Sequence, residues 1–393
     1  MEFAQLILPY PYILYLLYFC RDKTLFTIQG IYIVAALLDI SWFFFGIEKF
    51  KTTVTGNTII KICTVVCIFL FVRTRNDLAK YVFIMALGTL LSQAYLWFFV
   101  FREVKLVKPS SKEMLVHLKP MLLLFIPVIA ISLYKMMDKV MLGSLSNKVE
   151  VGYYNNAEKA IDIPISVIGA FGTVMLPKMS TLMKNGVTQA GRKYMELSVK
   201  YIMLIAMALT FGIAAVSFVF SEVFWGSEFI PCGSIIRCLS ISIPFLAFAN
   251  ILRTQYLIPL EKDKEYIISV FAGAIVNLII NTILIPKYNA LGAAIGTVFA
   301  EAAVCITQAL FVKKDISIKS QIKNMLLYVF FGIIMYFAID VAFKDASISI
   351  TTLCLQMIFG GTVYLIISVI YLAFAKDEVT GDYLKKLRAF IHK

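Results

Sequence analysis

Apolar residues in this chain fall in blocks of about 18–26, separated by short charged links. A helix of that length crosses a hydrocarbon core of about 30 Å, whereas a membrane barrel would show short alternating segments. The blocks predict twelve membrane-spanning helices, at 3–20, 24–46, 54–72, 79–101, 120–145, 157–177, 200–220, 235–258, 266–285, 291–312, 325–343 and 347–375. The expected fold class is all-α, a polytopic membrane bundle of about twelve helices. Pro127, Pro164 and Pro244 fall inside these spans and predict kinks.

One block differs from the rest. The run 120–145 carries Lys135, Asp138 and Lys139 at i, i+3 and i+4, so the three share a helix face. A span that stopped at Tyr134 would be 15 residues, roughly 22 Å, too short to cross. The charged turn must therefore lie in the membrane, where each charge costs about 2.5–3.5 kcal/mol even on the lenient insertion scale. Such groups face a wet cavity or pair with one another, and the pattern allows both. Asp39, Arg253 and Glu301 are further intramembrane charges, while Lys61 and Arg237, nearer span ends, are expected to snorkel.

Composition agrees with this reading. The chain has 393 residues, 60% of them hydrophobic and 16% charged, with a mean hydropathy of +0.85, which excludes a soluble domain. The net charge of +13 does not mark a nucleic-acid binder, because the basic residues lie in links that alternate with spans. Of 37 Lys and Arg, 23 fall in links on one side and nine on the other, which predicts that both termini are cytoplasmic. The chain opens Met1-Glu2 without a basic n-region, so its first block reads as a retained span.

The links set the expected domains. Residues 1–101 form a four-helix N-terminal lobe, 102–119 a cytoplasmic linker, and 120–312 a six-helix C-terminal lobe. An extra helix pair follows at 313–375, then an amphipathic cytoplasmic tail at 376–393. The link 177–200 is also amphipathic and is expected to lie along the inner leaflet. A shift of 213 residues lays Gly46–Lys51 on Pro259–Lys264 and Arg73–Asn76 on Pro286–Asn289, a parallel repeat of spans 2–4 on spans 8–10. Gly292 and Gly296 form a GxxxG pair that lets a neighbouring helix approach. Asn277 and Asn281 share a face of span 9, where amides bond across helices or line a path.

Covalent chemistry has no support. With two histidines and seven scattered cysteines no metal site is expected, and there is no Walker motif and no outer loop longer than about a dozen residues. No enzyme activity and no cofactor are expected, beyond coupling to H+ or Na+.

Three ordered motifs resemble one family. They are Asp39-Ile40-Ser41-Trp42 through Phe50; Asp138-Lys139-Val140-Met141-Leu142-Gly143 with Val151–Ala157 and Leu176–Ser180; and Val276-Asn277-Leu278 through Tyr288 into Gly292–Thr297. The chain resembles the polysaccharide transporter branch of the multidrug/oligosaccharidyl-lipid/polysaccharide flippase superfamily. The resemblance implies two pseudo-repeated lobes around a central cavity in the bacterial cytoplasmic membrane. Aligned on the motifs, span 1 matches the family's third helix, so the expected N-lobe lacks the first helix pair. It also implies movement of undecaprenyl-pyrophosphate-linked oligosaccharide to the outer leaflet, for capsule, O-antigen or exopolysaccharide synthesis. The partners implied are this lipid-linked oligosaccharide, membrane lipids, and the polysaccharide polymerase and chain-length machinery. An ion-coupled antiporter, a flippase for another polyprenyl lipid, or an inactive truncated fragment are the alternatives.

On that reading a pyrophosphate needs cations, and Lys135, Lys139 and Arg253 are the embedded candidates, with Lys159 near the outer mouth. Tyr153, Asn156 and Asn277 are candidate sugar contacts. Asp39, Asp138 and Glu301 either pair with the cations or carry the coupling ion.

Overall fold

The computed structural model describes residues 23–47, 49–104, 110, 116, 136–184, 186–313, 315 and 318–374, and among these every element is a helix. The predicted span 3–20, most of 120–145 and the tail 376–393 lie outside the described residues. The chain divides into two compact units, Met1–Ile126 and Pro127–Lys393.

The first unit holds α1 (Lys23–Leu37), α2 (Ser41–Gly46), α3 (Phe50–Phe71) and α4 (Leu78–Glu103). The predicted span 24–46 is broken at Leu38–Ile40, and polar groups satisfy the break. Asp39 accepts the backbone N–H of Ser41 at 2.9 Å and its hydroxyl at 2.6 Å, and so caps α2. The indole of Trp97 on α4 donates to the Leu38 carbonyl at 2.9 Å. Asp39, expected to be a coupling or ion-paired acid, is placed at the start of α2 with Ser41 as its donor. Between α3 and α4, Thr74 and Asp77 form a capping box, and Lys80 sits 2.7 Å from Asp77. Lys80 first, then Thr74 and the backbone N–H groups of Arg73 and Thr74, hold the Asp77 carboxyl well below the usual carboxylate range.

The second unit begins, in the described residues, with a helix at 136–145 (α5). There follow α6 (Lys148–Met183), α7 (Gln189–Trp225), α8 (Ile230–Ser240) and α9 (Ser242–Leu252). A π-helical turn (Arg253–Leu257) leads to α10 (Asp263–Val312), α11 (Ile318–Ala342) and α12 (Ile350–Phe374). Residues 227–257 pass as one apolar span with a 40° bend, next to Pro244 near the start of α9.

Two features differ from the expected pattern. First, α6 runs through Pro177 to Met183, and α7 starts at Gln189, so the link 177–200 does not lie flat along the leaflet. Its apolar face is real, but it packs helix on helix: Met179, Met183, Met195 and Val199 are buried in one core, and Lys178 lies 3.9 Å over the Tyr194 ring. Second, the 50-residue α10 contains one non-helical residue, Asn289, at φ 50°. Gly273 faces Ala300 and Val304, Ser269 bonds Gln308, and Gly296 faces Asn281. These contacts make α10 an antiparallel hairpin with arms at 263–288 and 290–312, as the two predicted spans require. The expected repeat is visible in each unit separately: α3 starts at Phe50 and α10 at Asp263, and the turn at Asn76 matches the break at Asn289, both 213 residues apart.

Large apolar side chains point outward. Phe69, Phe98, Val174, Val341 and Phe374 are each at least 75% exposed, a surface that only lipid can solvate. The interior mixes small alanine and serine side chains with isoleucine, leucine and methionine, and the small ones permit close helix packing.

The tip of the α10 hairpin yields a test. A Cβ at Gly292 would strike the Leu284 carbonyl and the Ile285 nitrogen, backbone atoms that cannot swing aside, whereas one at Gly296 meets the Asn281 side chain. Gly292→Ala should lower stability by about 1–3 kcal/mol. Thermal unfolding in detergent should show a Tm below wild type for this variant.

Candidate functional site

Asp138 on α5 points into the second unit and is only 5% exposed. A buried carboxylate is tolerated only where donors surround it. Four do so here. Asn277 and Asn281, one turn apart on the first arm of α10, donate to Oδ1 at 2.8 and 2.6 Å. Thr297 on the second arm and Tyr154 on α6 donate to Oδ2 at 2.9 and 2.8 Å. The two hydroxyls lie 2.8 Å apart, and Asn281 also donates to the Asn277 amide oxygen at 3.0 Å. The Asn281 amide oxygen is buried without a partner. One carboxylate thus joins α5, α6 and both arms of α10.

A second tie fixes the same helices at the hairpin tip. Glu150 in the first turn of α6 accepts the Ala290 N–H at 3.0 Å, capping the second arm, and Ser146 donates to the Asn289 amide oxygen at 2.8 Å.

Of the expected charged face, Asp138 and Lys139 take different partners. Lys139 turns away from the carboxylate and pairs with Glu158 of α6 at 2.5 Å, with both side chains partly exposed. Asp138 has neutral donors as its partners, because neighbours i and i+1 lie about 100° apart on a helix. Lys135 lies outside the described residues. Asn277, expected to contact sugar, is fully buried against Asp138 and holds it instead.

Arg253 and Glu301, 48 residues apart, are brought to one cavity of about 340 Å³ within this unit. Its polar wall includes Ser166 of α6, Asn250 of α9, Tyr266 of α10 and Gln308 of the second arm. Arg253 opens the π-helical turn, a backbone irregularity that often accompanies functional sites. Its Nη1 reaches the Tyr266 hydroxyl at 3.4 Å, while its Nε is buried without a partner. The Gln308 amide donates to Ser269 at 3.1 Å and leaves its Oε1 unpaired and buried. Glu301 is 9% exposed in the same wall.

The remaining candidates lie along the first half of α6. The Tyr153 hydroxyl donates to the Glu228 carbonyl at 3.1 Å, and its ring packs edge-on against Phe229 at 5.7 Å. It is fastened to the short helix before α8, as an interfacial tyrosine would be. Asn156 is half-buried and Lys159 is exposed.

Comparison with known proteins bears on what such a site does. Residues 3–183 match the family model described as polysaccharide biosynthesis protein. A putative O-antigen transporter of Shigella dysenteriae is 24% identical over 72% of this chain and 70% of its own length. Its Escherichia coli counterpart is 23% identical over 72% and 68%. A probable low-salt glycan biosynthesis flippase of Haloferax volcanii is 24% identical over 61% and 50%. In fold, the chain is similar to the lipid II flippase MurJ in its inward closed conformation, with a TM-score of 0.73 over 90% of this chain and 73% of that one at 18% identity.

The chain is similar to the polysaccharide-transporter flippases. It is a multi-pass protein of the cytoplasmic membrane, and its relatives are transporters and flippases.

Several site residues escaped sequence reasoning. Thr297 helps close the Asp138 node, Glu158 pairs Lys139, and Gln308 and Asn250 line the cavity, while Tyr154, a candidate sugar contact by sequence, bonds Asp138. The available signal was weak: single polar residues in otherwise apolar runs, with no indication of which helices meet.

Removing the carboxylate should be costly. Asp138→Ala leaves four buried donors unanswered and should destabilise the protein by about 3–5 kcal/mol. Lys139→Ala, at a partly exposed pair, should cost about 1 kcal/mol or less. Thermal unfolding of both variants in detergent checks the order, and equal losses would contradict it.

Proposed function

We propose that this flippase moves polyprenyl-pyrophosphate-linked oligosaccharide repeat units from the cytoplasmic to the outer leaflet, supplying surface polysaccharide synthesis. The observation that carries this reading is the polar cavity with Arg253 inside the second unit. A guanidinium at that depth, with Nε unpaired, suits a phosphate oxygen as its acceptor. Asn250, Ser166 and Gln308 supply amide and hydroxyl groups of the kind that sugar hydroxyls bind. The lipid tail stays in the bilayer while the polar head passes through the protein. Lys139, Lys159, Tyr153 and Asn156 would meet the head nearer the outer face, and Lys135, four residues before Lys139 in the sequence, would join them. The polymerase and chain-length machinery would receive the product outside.

Asp138 is the coupling group in this proposal. Protonation would neutralise it in place. A sodium ion would instead be held by the carboxylate, the Thr297 hydroxyl and the amide oxygens of Asn277 and Asn281, of which the Asn281 oxygen has no present partner. Either ion supplies the positive charge that a buried carboxylate lacks. Glu301, beside Arg253, would pair with the guanidinium until a phosphate displaces it.

Two measurements test the proposal in cells that depend on this gene for surface polysaccharide. Arg253→Ala should cut the polysaccharide at least tenfold at unchanged protein abundance, with lipid-linked units accumulating on the inner leaflet, and Arg253→Lys should keep part of the activity. Normal polysaccharide in Arg253→Ala would refute the cationic cavity. In reconstituted vesicles, an imposed sodium or proton gradient should accelerate transport by wild type, and Asp138→Asn should remove that dependence.

A further inference from the structure

A second cavity in the second unit is larger than the polar one. About 730 Å³ of space lies between α7, α8, α9, the second arm of α10 and α11. Its walls are nearly all hydrocarbon, with Phe245, Phe248, Ile333 and Phe337 among them. The lining runs from Met325 to Phe337 on α11, roughly 18 Å along the helix, so the space is an elongated slot.

The slot has one charge. Arg237 was expected to snorkel to the surface, yet its guanidinium stays in the wall. Its Nε donates to the Ala214 carbonyl at 3.3 Å, and it stacks over Phe218 at 4.7 Å and Tyr336 at 5.7 Å. Thr210 and Ser240, also in the wall, return their hydroxyls to carbonyls of their own helices. Among the described residues no carboxylate pairs with Arg237. With the Ala214 carbonyl as its described acceptor, the guanidinium keeps donors that an anion would satisfy.

The position suggests which anion. Arg237 lies seven residues into α8, roughly 10 Å below the end that the charge bias places outside. That is close beneath the headgroup layer of the outer leaflet. The slot and the polar cavity also use different sides of the same helices. The slot takes Phe245, Phe248, Cys305 and Ala309, while the polar cavity takes Asn250, Arg253, Glu301 and Gln308. A glycan-bearing head would find few hydrogen-bonding groups in the slot. A small phosphate headgroup with a hydrocarbon chain fits both ends of it.

We infer that this slot binds an anionic glycerophospholipid of the outer leaflet, its phosphate on Arg237 and an acyl chain along α11. The site is separate from the transport path and does not rest on the identity of the transported unit. The bound lipid wedges α11 against α7–α10 and gives the last helix pair a specific tie to the lobe.

The test uses the purified full chain, stripped of lipid in detergent and titrated by native mass spectrometry. Phosphatidylglycerol, phosphatidylcholine and undecaprenyl phosphate serve as probes. Phosphatidylglycerol should bind one to one and more tightly than the other two. Arg237→Gln should weaken it about tenfold, the scale of one lost charge-assisted phosphate contact. Ala309→Phe, which fills the slot and leaves Arg237 in place, should weaken it as well, whereas Arg192→Gln at the far cytoplasmic surface should not. Unchanged phosphatidylglycerol binding in Arg237→Gln or Ala309→Phe would overturn the site. Equal binding of phosphatidylcholine, or displacement by undecaprenyl phosphate, would overturn the assigned ligand.

Discussion

A carboxylate buried in a membrane protein has no water to fall back on, and the second unit is arranged around that constraint. Asp138 must be met by donors, and the donors come from α6 and both arms of the α10 hairpin. The neighbouring ties from Glu150 to Ala290 and from Ser146 to Asn289 close the hairpin tip onto the α5–α6 turn. Between them, these polar contacts fix the relative placement of helices whose remaining contacts are largely apolar and carry little directional information. In lipid, where helix association gains nothing from water exclusion, such hydrogen bonds and close glycine contacts set the packing.

The same node explains how an ion could act on the whole lobe. Neutralising or coordinating Asp138 changes the balance of every hydrogen bond it accepts. Those bonds hold both arms of α10, and the second arm carries Glu301 and Gln308 into the polar cavity. Arg253 enters that cavity from a π-helical turn that follows the bent α8–α9 span. The Asp138 node and the polar cavity therefore both draw side chains from one hairpin.

Much of this architecture was legible in the amino-acid sequence. Block length determined the spans, because a helix must cross a fixed thickness of hydrocarbon. The break between spans 9 and 10, the 213-residue repeat and the close approach at Gly292 and Gly296 all follow from local pattern, and the structure reproduces them. The amphipathic character of 177–200 was also visible, but its partner was not. An apolar stripe looks the same whether lipid or a neighbouring helix covers it, and here Met183 and Met195 bury it within the protein.

The charges divide more sharply. Sequence alone placed Asp138, Lys139, Arg253 and Glu301 within predicted spans, and the first two by length, since that span is too short without them. Only the tertiary structure decided their partners: donors from α6 and α10 for Asp138, Glu158 for Lys139, a shared cavity for Arg253 and Glu301, and a helix cap for Asp39. The reason is physical. Depth in the membrane depends on position along a helix, which one dimension records. Pairing depends on which helices meet and how each is rotated, and that is set by contacts between residues up to 160 positions apart.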